Sequence, residues 1–112
     1  MAVKNSKKKE LHANYDVVME LLRSPKFATL IDAKFTEEVK TQKGDNCIEF
    51  RYVKKMTLLD YGRNFFIEVP QIDGDTTTVT ITTQSRKATV LLDTVWESSV
   101  NRVISVLEAL LD

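Results

Sequence analysis

The last twenty residues, Asp93 to Asp112, constrain this chain more than any other stretch. From Thr94 to Leu111 they read TVWESSVNRVISVLEALL, and Trp96, Val100, Val103, Leu107 and Leu110 recur at a 4-3-4-3 spacing. Ile104 and Leu111 widen the stripe. That spacing predicts a helix of about five turns with one apolar face. Thr94 with Glu97 three residues later has the form of a capping box, in which each side chain takes a backbone N–H of the first turn. A helix so apolar on one side needs a surface to lie on.

The preceding segments supply one. Thr76 to Thr83, TTTVTITT, is β-branched throughout, with Val79 and Ile81 facing one way and threonines the other. Cys47 to Leu58 alternates Ile48, Phe50, Tyr52, Met56 and Leu58 against Glu49, Arg51, Lys55 and Thr57. Lys54 falls on the apolar side of that segment. An unpaired buried lysine is costly, so it marks a bulge, a strand end or a groove. Ala33 to Lys40 places Phe35 and Val39 on one side, and Arg63 to Ile72 sets Phe65, Ile67 and Val69 against Phe66, Glu68 and Gln71. Pro70 cannot donate to a ladder, so that strand ends or leaves the sheet there. Asp73-Gly74 is a tight-hairpin signal, and Ala88 to Leu92 reads as a last strand feeding the helix.

Before the strands the period is helical. Leu11, Tyr15, Val18, Met19 and Leu22 share a face from about His12 to Arg23. Ser24-Pro25 then interrupts, as a cap followed by a first helical position, and Phe27, Leu30 and Ile31 form the buried side of a short second helix. Residues 1–10, with Lys7, Lys8 and Lys9 adjacent, read as a flexible basic tail, leaving 11–112 as a single α+β domain. The expected architecture is two short helices, an antiparallel sheet of about five strands in a meander, and a long C-terminal helix on one face.

Composition excludes more than it assigns. Sixteen basic and sixteen acidic side chains cancel, so net charge draws in neither nucleic acid nor an acidic membrane. The single cysteine, Cys47, allows no internal disulfide and suits the cytoplasm. No apolar run approaches the roughly 18 residues of a membrane span. The lone histidine, His12, has no neighbouring nucleophile, and one Cys with one His is too few for zinc. Gly44, Gly62 and Gly74 all sit in predicted turns, and none forms a phosphate-cradling loop. Glu37 and Glu38 point to opposite sides of a strand and cannot share a proton. The expectation is a chain that is not an enzyme and has no cofactor or metal. Arg51, Lys55, Arg63, Arg86 and Lys87 come from strands and turns that a meander can bring together, as a basic patch.

The layout resembles the START-like (helix-grip) superfamily, whose curved antiparallel sheet grips a long C-terminal helix. Ala13 to Ile31, ANYDVVMELLRSPKFATLI, is similar to its early helix pair, and Thr76 to Leu111 is similar to its last strands and closing helix. A TATA-binding-protein-like layout satisfies the same pattern. The helix-grip resemblance implies an apolar pocket for a hydrophobic small molecule, lined by Phe50, Tyr52, Phe65, Ile67, Trp96, Val100 and Val103. Two rivals stay open. Phe65-Phe66-Ile67 is apolar on both sides, which suits self-association into a homo-oligomer. The basic residues, with Tyr61 and Phe66 beside them, carry the less favoured nucleic-acid reading.

Overall fold

The computed structural model describes residues 4–41, 47–54, 62–72, 74–85 and 93–111, with side chains described from 6 to 84 and from 100 onward within those ranges. The fold is α+β. In chain order the elements are β1 (Lys4–Leu11), α1 (Tyr15–Arg23), α2 (Pro25–Leu30), β2 (Lys34–Thr41), β3 (Cys47–Lys54), β4 (Arg63–Pro70), β5 (Thr77–Ser85) and α3 (Asp93–Leu111). Five antiparallel strands pair in the order β1-β5-β4-β3-β2.

This order corrects the N-terminal expectation. Lys4 to Leu11 is not a tail. It pairs along its length with β5, from Lys4 opposite Gln84 to Leu11 opposite Thr77. Backbone groups make a ladder whatever the side chains are, and a lysine-rich strand is what an exposed sheet edge tolerates. Apolar alternation could not reveal it, because Leu11 is its one large apolar residue on the buried face. The lysines sharing that face reach α3 instead. Lys7 Nζ donates to Asn101 Oδ1 at 3.2 Å, and Lys9 Nζ lies 3.4 Å from Glu108 Oε1. The expected strand at Ala88 to Leu92 lies outside the described residues.

The first helix starts later than its periodicity implied. Leu11 ends β1, and Asn14 caps α1 by accepting from Val17 N at 2.9 Å. Ser24 caps α2 in the same way, through Lys26 N at 3.2 Å, with Pro25 in the first turn. A closing motif ends α2. Ala33 N donates to Ala28 O and Asp32 N to Thr29 O, with Asp32 in the left-handed region at φ 56° where glycine is usual.

Two sheet details depart from simple alternation. The β2–β3 register shifts between Phe35 and Glu37, so Phe35 opposes Tyr52 while Val39 opposes Glu49. Phe35 and Val39 therefore lie on opposite faces, because a bulge reverses the side chains that follow it. The β4–β5 ladder stops at Glu68–Thr80, and the connection runs from Gln71 to Thr76. Pro70 has no N–H to extend that ladder, and Asp73 of the expected Asp73-Gly74 hairpin lies outside the described residues.

One face of the sheet is covered by the three helices. Leu11, Phe50, Tyr52, Phe65, Ile67, Val69, Val79 and Ile81 pack under Val18, Met19 and Leu22 of α1, Phe27 of α2, and Val100, Val103, Ile104 and Leu107 of α3. Thr77 ties β5 to the turn before α1, its hydroxyl donating to Ala13 O at 2.8 Å. The other face carries Glu49, Arg51, Phe66, Glu68, Thr82 and Gln84 and has no layer over it among the described residues.

Candidate functional site

The residues expected to line a pocket come together. Phe50, Tyr52, Phe65, Ile67, Val100 and Val103 belong to one cluster, each no more than 3% exposed. The side chain of Trp96 lies outside the described residues. Tyr52 is held on three sides. Its hydroxyl donates to Leu22 O at 2.6 Å, and Phe27 and Phe35 stack edge-on against its ring, each with centroids 5.5 Å away. Burial pushes its phenol well above the usual tyrosine range.

A gap opens at one end of this cluster. Helix α3 leans on β1, β5 and α2. Where it meets the α2–β2 turn and the joined ends of β3 and β4, a cavity of about 60 Å³ remains. Ile31, Phe65 and Val103 form its apolar wall, and Asp32, Lys54, Arg63 and Arg102 its polar wall. Lys54 and Arg63 oppose each other across the β3–β4 ladder, and Lys54 Nζ lies 3.6 Å from Asp32 Oδ2. Arg102 reaches over from α3, its guanidinium 3.5 Å from Leu30 O. Thr83, opposite Phe65, is fully buried, and its hydroxyl finds no hydrogen-bond partner among the described residues.

Sequence reasoning found Phe65 and Val103 of this set and flagged Lys54 as misplaced on an apolar face. It missed Ile31, Asp32 and Arg102 as wall residues, and it misassigned Arg63. The expected basic patch does not form from Arg51 and Arg63, which lie on opposite faces. Arg63 shares the inner face with Phe65 and is 8% exposed. Arg51 lies outside, 5.9 Å from the centre of the Phe66 ring, and bonds Glu49 at 2.9 Å and Glu37 at 3.0 Å. The strand period separates the two arginines, since Arg51 opposes Phe66 and Arg63 opposes Lys54. Lys55, Arg86 and Lys87 lie outside the described residues.

Other sequence candidates lie apart from this gap. His12 is exposed in the turn between β1 and α1, and Cys47 is buried at the start of β3. Among the described residues no three His, Cys, Asp or Glu side chains gather to hold a metal ion. None of the described helices is long and apolar enough to cross a membrane.

No family model matches this chain, and no curated protein matches it. Solved structures do match in layout. TTHA0849 from Thermus thermophilus is 9% identical with a TM-score of 0.47, covering 96% of this chain and 95% of that one. The Zhui aromatase/cyclase from Streptomyces sp. R1128 is 10% identical with a TM-score of 0.49, covering 97% and 93%. SA2116 from Staphylococcus aureus, a protein of unknown function, is 9% identical with a TM-score of 0.35, covering 97% and 95%. The Streptomyces protein is an enzyme. That finding corrects the expectation of a chain that is not one, which rested on finding no familiar catalytic constellation.

Proposed function

We propose that this chain binds a hydrophobic small molecule between the inner face of its sheet and α3, as its resemblance to START-like proteins implies. One observation carries the reading. Phe65 of the sheet and Val103 of the helix belong both to the core and to the wall of the cavity at their shared edge. A ligand entering there meets apolar surface continuous with the interior, and small-molecule sites are built of such surface with a few polar groups at one end. The resident gap, about 60 Å³, is far smaller than a drug-sized site, so the bound state requires α3 or the α2–β2 turn to move outward. The cytoplasm is the compartment proposed, on the single buried Cys47.

The test is a titration of the isotope-labelled chain with decanol, followed by amide chemical shifts. Saturable shifts at Phe65, Val103 and Ile31 are expected. Shifts that never saturate, or that scatter over the outer face, overturn the reading.

A further inference from the structure

We propose that two copies of this chain pair through β2, antiparallel, about a two-fold axis at Val39. The pairing needs no bound ligand.

Two strands end the sheet, β1 and β2. Strand β2 pairs with β3, and no described strand lies on its far side. Such an edge offers backbone N–H and C=O groups to another strand. The first strand is unsuited to a second copy. Lys7, Lys8 and Lys9 follow one another there, so self-pairing centred on any of them sets lysine against lysine. The apolar stretch Phe65 to Ile67 lies in β4, with β3 and β5 on either side, and has no edge to give.

The charges of β2 select one register. A two-fold axis perpendicular to the sheet keeps the inner faces of both copies together, so residues placed opposite each other must share a face. The bulge between Phe35 and Glu37 puts Lys34 on the outer face and Glu38 on the inner one, which bars a match of those two. That leaves the regular stretch from Glu37 to Thr41. An axis at Glu37, Glu38 or Lys40 sets that charge against its own copy. An axis at Val39 sets Val39 against its copy, and places Glu38 of each chain opposite the partner's Lys40. Like charges are avoided, and two opposite-charge pairs form.

Both side chains can meet those partners. Arg23 contacts Glu38 through Oε1, at 2.9 and 3.0 Å, so Oε2 is left to accept from the partner's Lys40. Among the described residues Lys40 carries no ion pair. The surroundings favour the same cation. Glu38 lies on the inner face, opposite Phe50, where α1 packs. There α1 leaves a groove of about 530 Å³, lined in part by Tyr15, Met19 and Arg23 with the carboxylates of Asp16 and Glu20. So short a ladder buries less than a standard interface, and the dimer forms and parts readily.

The experiment is sedimentation equilibrium of the full chain from micromolar to millimolar concentration. A rise in mean mass toward the dimer is expected. Lys40→Glu and Glu38→Lys are exposed changes, and each should weaken the dimer about tenfold or more by turning both pairs into like-charge pairs. Mixing the two variants, or combining both changes in one chain, should restore it, because opposite charges face each other again. Val39→Cys sets two thiols opposite each other, with Cα atoms about 4.5–5.5 Å apart, so mild oxidation should link the dimer while Glu37→Cys stays unlinked. A chain that remains monomeric at millimolar concentration overturns the proposal. A dimer indifferent to the charge changes, or one linked as readily through Glu37→Cys, also overturns it and points to another surface.

Discussion

The phenol of Tyr52 donates to the carbonyl of Leu22 at 2.6 Å, joining the middle of the sheet to the last turn of α1 in a fully buried contact. A residue expected to line a pocket is thereby committed to fastening a helix. Tyr52→Phe leaves the ring in its aromatic cage and the Leu22 carbonyl one donor short. We expect a loss of about 1–3 kcal/mol in urea unfolding. A loss below about 0.5 kcal/mol would place that carbonyl in contact with water.

The same phenol sets an alkaline limit. Its folded pKa is raised by burial above the ordinary value of 10.0, so the folded chain holds this proton more tightly than the unfolded one. The resulting stability is complete below pH 10.0 and is lost as pH climbs through the folded value. Wild-type stability should fall by up to about 1.4 kcal/mol per pH unit from this group above that point. Tyr52→Phe should lack this share, so the gap between the two proteins narrows from about pH 10 to about pH 11. A constant gap across that range would be inconsistent with a buried phenol.

Thr83 gives the opposite sign on the same face. Its buried hydroxyl has no hydrogen-bond partner among the described residues, and an unmet buried hydroxyl carries its desolvation cost without return. Thr83→Val keeps the shape and removes the polar atom. Thermal unfolding should show a gain of about 1 kcal/mol. A loss would mean that a bound group meets this hydroxyl.

If residues 4–11 form a strand, their ladder amides must be protected. Hydrogen exchange at the β1 amides facing β5 should be slowed by orders of magnitude relative to an unstructured peptide. Leu11, 1% exposed, should cost about 2–4 kcal/mol when changed to Ala. Exchange at peptide rates throughout this segment would restore the flexible tail.

Asp32 occupies a backbone conformation that glycine adopts freely, at φ 56°. The left-handed penalty for a side-chain-bearing residue is about 1–2 kcal/mol, and added unfolded-state freedom returns part of any gain from glycine. Asp32→Gly should therefore raise the melting temperature modestly, by up to about 1 kcal/mol of stability. Its contact with Lys54 is mostly exposed and adds little. A net loss would show that the carboxylate matters more to the polar wall than its geometry implies.

Much of this fold was legible because its signals are local. The break at Ser24-Pro25, the strand carrying Val79 and Ile81, and the stripe of α3 each follow from residues a few positions apart. Phe65 and Val103 were legible as residues of the buried face for the same reason, being apolar at the right period. The first strand was not, since Lys4 to Glu10 announce themselves by backbone pairing with a segment more than sixty residues away. Nor was the polar wall. Asp32, Lys54, Arg63 and Arg102 come from four separate segments, and nothing local to any of them names the other three.

By itself, then, the sequence determined which apolar segments bury a face and the cap that starts α2, because periodicity and side-chain hydrogen bonding act within a turn or a strand. Tertiary structure alone decided which strand closes the sheet beside β5, and on which face Arg51 and Arg63 emerge. It also decided that α3 meets the α2–β2 turn with a gap rather than a seal. Those outcomes depend on register and on packing between distant elements, where one bulge or one missing N–H changes which side chains meet.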